Sequence, residues 1–293
     1  MIRRTFGNTK LEVSALGFGA GHIGSPAMSE DAAGTILNRA LDLGVNLIDT
    51  ARGYDLSEER VGRHLSWRRQ EVIISTKGGY GVPGVADWTA ECITQGIQQA
   101  LERLQTDYID IFHLHSCPLD TLKNSDVIPA LEQALKRGQI RVAAYSGENE
   151  ALAWAATSGK FGSFETSVNI CDQRVLETVI PNAAKAGLGV IAKRPIANAP
   201  WRYATRPVGD YCETYWERLQ TMKLEPEGLP WDEFALRFSA FAPGVSSAIV
   251  GTSSLENLAR NVEIVGKGAL DSEVVARVRA AFKTHDHNWI GQI

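Results

Sequence analysis

Four polar side chains stand just beyond short apolar runs: Asp49 and Tyr54 in NLIDTARGY, Lys77 closing EVIISTK and His115 closing YIDIFHLH. An acid, a phenol, an ammonium and an imidazole at the ends of successive strands can converge on one point, where the phenol can exchange a proton with a carbonyl oxygen. A free phenol titrates at about 10, too high for easy exchange at neutral pH, and a nearby ammonium favours the phenolate and lowers that value. On this reading Asp49 holds Lys77, Lys77 tunes Tyr54, and His115 donates a hydrogen bond that orients the substrate oxygen. Each residue alone has a plainer explanation. An Asp after a strand caps a turn, a Lys there is a solvated end, a loop Tyr packs, and a lone His is a satisfied structural residue. Their joint occurrence at strand ends selects the functional reading.

The elements that would position them follow from the hydrophobic pattern. Short apolar runs with little polar alternation mark strands near 15–19, 45–49, 72–76, 109–114, 142–146, 164–169, 189–193 and 247–250, as expected for parallel strands buried on both faces. Helical patterns lie between them. Ile93, Ile97, Leu101 and Leu104 form one stripe behind an N-cap at Thr89. Ile128, Leu131 and Leu135 form another, closed by Gly138, and Trp231, Phe234, Ala235 and Phe238 begin a third. Eight strand–helix units and a last helix near 271–285 predict an α/β fold, a (β/α)8 TIM barrel, as one domain over 1–293. The opening RRTFGNTKLEV predicts a β-hairpin that plugs one end. The stretch from Ile196 to about Pro230 carries Trp201, Tyr203, Tyr211, Tyr215 and Trp216, and reads as a lid or binding loop.

Composition narrows the classes. The chain has 293 residues, 44% of them hydrophobic, enough for a large core. A net charge of −4 gives no basic field for nucleic acid. Cys92, Cys117, Cys171 and Cys212 are scattered and read as reduced thiols, the N-terminus lacks a secretion signal, and no run of about 18 apolar residues spans a membrane. The expectation is a cytoplasmic protein acting on a small molecule.

The segments GVNLIDTARGY, IISTKGG, LERLQTDYIDIFHLHSC and LEVSALGFGAGHIG resemble those of the aldo-keto reductases, and the resemblance runs nearly the whole chain to IVGTSSLENLARN. It implies a barrel that binds NADP(H), sometimes NAD(H), without a dinucleotide-binding domain. Asp49, Tyr54, Lys77 and His115 then match the family's catalytic four, with Tyr54 as acid in carbonyl reduction and base in alcohol oxidation. The cofactor would lie against Gly19, Ala20, Gly21, Asp49, Ser146, Glu165, Lys193 and Arg194. Its adenosine end would lie against Gly251, Thr252, Ser253, Asn257, Arg260 and Asn261. Besides Tyr54 and His115, the pocket wall would draw on His22, Trp88 and Trp201. Six residues depart from the pattern: Gly147 where Asn is usual, Glu165 where Gln is usual, Lys193 and Arg194 where an aromatic ring often stacks, and Gly251 and Asn257 where cations usually hold the 2′-phosphate. Arg260 and the nearby hydroxyls remain, so NADP(H) is expected, with NAD(H) as the alternative.

Rival readings exist. Residues 19–24 spell G-x-G-x-x-G after a strand, but Pro26 stands where a dinucleotide-binding helix would already run, and helical pattern begins only at Ser29. His113 and His115 share a strand face without an evident third ligand, so no metal is expected. Lys77 could instead form a Schiff base in a barrel lyase, or the fold could be a non-catalytic nucleotide-binding partner subunit. Ser253 and Glu256 form an S-x-x-E capping box in sequence.

Overall fold

Eight short, largely buried segments pair in parallel and close on themselves. The computed structural model describes residues 1–293. A hairpin of β1 (Arg3–Thr5) and β2 (Glu12–Ser14) precedes the barrel strands β3 (Leu16–Gly19), β4 (Leu47–Asp49), β5 (Ile73–Gly78), β6 (Ile109–His115), β7 (Ile140–Ser146), β8 (Ser163–Ser167), β9 (Gly189–Lys193) and β10 (Ser247–Val250). The barrel order is β10-β3-β4-β5-β6-β7-β8-β9. This is the (β/α)8 architecture that the alternating pattern predicts.

Strand alternation divides the chain into two apolar layers. Outward side chains join those of the surrounding helices in the main core. Helix Ala90–Leu104 illustrates how: Thr89 accepts a bond from the Cys92 N–H at 3.1 Å, and Ile93, Ile97, Leu101 and Leu104 are buried on one face. Inward side chains are apolar only in the lower barrel. There Leu47, Ile111, Val142, Ala144, Ile191 and Ile249 pack with Phe6, Leu11 and Val13 of the hairpin, so the hairpin does plug that end. The upper layer of the same strands is polar, and the register sets its members side by side: Asp49 opposite Ser75, Lys77 opposite His113, His115 opposite Ser146, and Ser146 opposite Glu165.

The segment after Gly19 forms a single 3₁₀ turn, His22–Gly24, and the first helix starts only at Glu30 behind Ser29, so the glycine motif opens no dinucleotide-binding helix, as Pro26 and Ser29 lead one to expect. Two other expectations need correcting. The N-cap of Leu255–Gly266 is Ser254, whose hydroxyl accepts from the Asn257 N–H at 3.2 Å; the box read from Ser253 is displaced by one residue. The aromatic insertion is mostly packing rather than lid. Tyr215 is 1% exposed in a second core with Phe234, Phe238 and Phe282, and Trp201 stacks on Trp231 with centroids 5.4 Å apart. No helix is long and apolar enough to cross a membrane.

Candidate active site

Asp49, Lys77 and His115 sit at the C-terminal ends of adjacent strands, where barrel loops open onto solvent. Asp49 accepts from the Ser75 hydroxyl at 2.8 Å with one oxygen and from the Lys77 ammonium with the other. Lys77, 1% exposed, also donates to the Thr50 carbonyl at 3.0 Å. Tyr54 reaches in from the next turn. That turn is pinned by bonds from the Tyr54 N–H to the Ala51 carbonyl and from the Ser57 N–H to the Tyr54 carbonyl, and by the Ser57 hydroxyl donating to the Ala20 carbonyl at 2.8 Å. Gly24 must lack a side chain here, because a Cβ would lie 2.0 Å from the Tyr54 carbonyl oxygen. As a result the Lys77 ammonium lies 5.2 Å from the Tyr54 ring centroid, and the Tyr54 and His115 rings meet edge-to-face at 6.1 Å.

The electrostatics refine the expected tuning. Lys77 exerts the largest single pull on the Tyr54 hydroxyl, and it is downward. Burial, Asp49 and Glu165 together outweigh it and push the phenol up to about 12. The net effect reverses the expectation from residue types, because burial and the two carboxylates act together against the single ammonium. Burial, then Glu165, raises Asp49 to about 6, against the pull of Lys77. Burial opposes the charge on Lys77, but the two carboxylates prevail and hold its value above the ordinary range. Burial and then Lys77 lower His115 to about 3. At neutral pH the site therefore holds a protonated phenol, an ammonium and a neutral imidazole.

These groups border a cavity of about 710 Å³. Asp49, Tyr54 and His115 line it, together with Gly19, Gly21, His22, Ser146, Glu165, Lys193, Arg194 and Gly251. Lys77 lies beneath its floor. Ala20 is buried behind the wall, its N–H bonded to the Asp49 carbonyl at 2.7 Å. Trp88 and Trp201 do not line the cavity: Trp88 leans on Tyr80 and Trp201 on Trp231. Thr252, Ser253, Asn257, Arg260 and Asn261 stand outside it as well, and Arg260 is paired with Asp232.

Two buried atoms in the wall make no hydrogen bond, the Ser146 hydroxyl and the Glu165 oxygen that lies 3.4 Å from the Lys77 ammonium. They sit on neighbouring strands in direct register. A hydroxyl that can donate beside a carboxylate that can only accept fits the C=O and NH2 of a carboxamide, as in the nicotinamide that the sequence resemblance implies. Gly147 has its own steric cause, since a Cβ there would lie 2.5 Å from the Tyr145 hydroxyl. The cations at the end of β9 are committed: Lys193 lies 3.3 Å from Glu148, and Arg194 donates to the Tyr211 hydroxyl and the Gln292 carbonyl.

One partner was not anticipated from sequence. The Tyr80 hydroxyl lies 2.7 Å from His115 Nδ1. Burial raises Tyr80, so its O–H is intact at neutral pH and able to donate to Nδ1, the arrangement that leaves the imidazole proton on Nε2. The visible signal was a Tyr directly after Gly78-Gly79, where the left-handed Gly79 (φ +123°) turns the chain back over the site. Tyr80→Phe is expected to lower kcat about tenfold, the cost of one lost hydrogen bond, and to let the His115 tautomers mix. Steady-state kinetics with imidazole nitrogen NMR would check both effects.

A model described as "Aldo/keto reductase family" matches residues 15–283. L-galactose dehydrogenase of Arabidopsis thaliana is 30% identical over 304 residues, covering 94% of this chain and 93% of the relative. D-threo-aldose 1-dehydrogenase of a Pseudomonas species is 27% identical, covering 86% and 89%. Among solved structures, the holo form of aldo-keto reductase AKR11C1 from Bacillus halodurans superposes with a TM-score of 0.84 at 29% identity, covering 96% of each chain.

Proposed function

The chain is a member of the aldo/keto reductase family, and from that premise we propose that it interconverts a carbonyl and an alcohol with a nicotinamide cofactor, Tyr54 giving or taking the proton. The observation that carries this reading is the convergence of Tyr54, the Lys77–Asp49 pair and a neutral His115 on one cavity. The nicotinamide, when bound, supplies or accepts the hydride at the reacting carbon. Ser146 and Glu165 would hold its carboxamide. The Nε2–H of His115 would fix the substrate oxygen opposite Tyr54, which in reduction donates its proton to that oxygen. Lys77 is the group that makes the loss of that proton affordable, since its charge stabilises the phenolate.

A Schiff-base lyase fits less well. Lys77 is buried against Asp49 and held in its ammonium form, whereas imine formation needs a free amine.

For the substrate, the cavity mouth offers polar side chains: Asn198, Arg202, Asp210 and Tyr211 stand around it. With Trp88 and Trp201 drawn away into packing, the wall suits a hydroxyl-rich molecule better than a flat aromatic one. The two sugar dehydrogenases among the relatives support the same choice. We therefore favour a sugar or polyol. Because Arg260 is engaged by Asp232, the preference for NADP(H) should be weak, with affinities for NADPH and NADH within about tenfold of each other. Fluorescence titration with both, then a panel of aldoses, polyols and aromatic aldehydes, tests the whole reading. Saturable binding and turnover of sugars are expected. No binding of either cofactor would overturn it.

A further inference from the structure

We propose that Glu165 makes this site selective for the oxidised over the reduced nicotinamide, and thereby favours alcohol oxidation on the enzyme. This deepens the nicotinamide reading above and rests on it.

The argument begins with charge balance. Asp49 and Glu165, each 2% exposed, share a single buried cation, Lys77. Lys77 is closer to Asp49; its distance to Glu165 Oε2 is 3.4 Å, and that oxygen has no hydrogen-bond donor. The other groups near Glu165 do not neutralise it. His113, 4.0 Å away, and His115 are both held neutral, burial being the main cause and Lys77 the second. Tyr54 is protonated, and Lys193 is balanced by Glu148. Asp49, Glu165 and Lys77 together thus carry one net negative charge; the further cation of the cavity wall, Arg194, donates to the Tyr211 hydroxyl and the Gln292 carbonyl rather than to Glu165.

The two states of the ligand differ in charge at just this place. The oxidised nicotinamide ring carries a positive charge and the reduced ring none, while the phosphates and adenosine are common to both. A carboxylate holding the ring's amide therefore stabilises the oxidised form specifically. A glutamine in its place would make similar hydrogen bonds to both forms. At the short separation that an amide contact imposes, even a strongly screened buried charge is worth on the order of 10- to 100-fold in relative affinity. The overall equilibrium of the reaction is unchanged; the balance among bound species moves toward alcohol plus oxidised cofactor as the stable starting complex. Burial and Asp49, with this charge added, keep Tyr54 protonated in the empty site, and the positive ring would offset the charge when proton acceptance is needed.

The test is equilibrium binding, followed by quenching of the chain's seven tryptophans, with NADP⁺ and NADPH and with NAD⁺ and NADH. In Glu165→Gln the ratio of oxidised to reduced affinity should fall at least tenfold, chiefly by weaker binding of the oxidised form, while Glu165→Asp keeps much of the ratio. Should the Gln variant not fold, the wild type serves: lowering the pH from 8 to 5 should reduce the same ratio as Asp49, raised to about 6, takes up a proton and removes one negative charge from the site. Equal effects on both forms, or a ratio flat with pH, would overturn the inference while leaving the cofactor reading intact. Absence of binding by the wild type would defeat both.

Discussion

Tyr54→Phe is expected to lower kcat by roughly 10²- to 10⁴-fold, the usual contribution of a positioned proton donor, while cofactor Kd changes by less than about threefold. The ring remains, so its packing beside His115 and its contact with Lys77 persist. Only the hydroxyl is removed. The pH dependence sharpens the test. With the phenol held at about 12 in the free site, the donor is protonated throughout the neutral range, so wild-type carbonyl reduction should be flat between about pH 7 and 9. Alcohol oxidation needs the phenolate and should rise across the same interval. Near-normal turnover in the Phe variant would remove Tyr54 from the chemistry. Oxidation that stays flat with pH would remove it as the base.

What the sequence made legible was the set of strand ends. Parallel strands buried on both faces leave a plain trace, apolar runs closed by a polar residue, and Asp49, Lys77 and His115 are those closing residues. The barrel then follows from counting units, and closure makes strand neighbours into site neighbours. The hairpin plug was legible for a similar reason, since Phe6, Leu11 and Val13 need the apolar lower barrel. What stayed hidden depends on distance across the fold. Nothing in the order of residues says that Glu165 lies close enough to share Lys77 with Asp49, and its charge adds to burial and Asp49 in the net upward shift at Tyr54. Tyr80 was hidden because its reach to His115 depends on a glycine turn rather than on any periodic pattern. Trp201 misled because an aromatic residue in a long insertion reads the same whether it faces a ligand or, as here, Trp231. The capping serine was ambiguous because Ser253 and Ser254 are adjacent, and only the backbone selects between them.

The same shared cation underlies the second large effect. Lys77→Met keeps a linear apolar stem in a position that is 1% exposed but leaves Asp49 and Glu165 without their ammonium. Breaking a buried ion pair from one side costs about 3–5 kcal/mol, so a clear loss of stability at pH 8 is expected along with the loss of turnover. The carboxylates have one escape, which is to take up a proton. Asp49 is already raised to about 6 by burial and by Glu165 while Lys77 is present, and removing Lys77 raises it further. An acid whose folded-state value exceeds its unfolded one binds protons more tightly when folded. Its stabilising contribution is therefore present at low pH and lost as pH rises through the folded value. The stability gap between wild type and Lys77→Met should accordingly be widest near pH 8 and narrow toward pH 5. For catalysis, Tyr54 loses the strongest downward pull on its hydroxyl, so any residual alcohol oxidation should need higher pH than in the wild type. Urea unfolding at several pH values, with pH–rate profiles alongside, measures both effects. A gap independent of pH would mean that the buried carboxylates are not coupled through Lys77, and an unshifted oxidation profile would mean that Lys77 does not set the acidity of Tyr54.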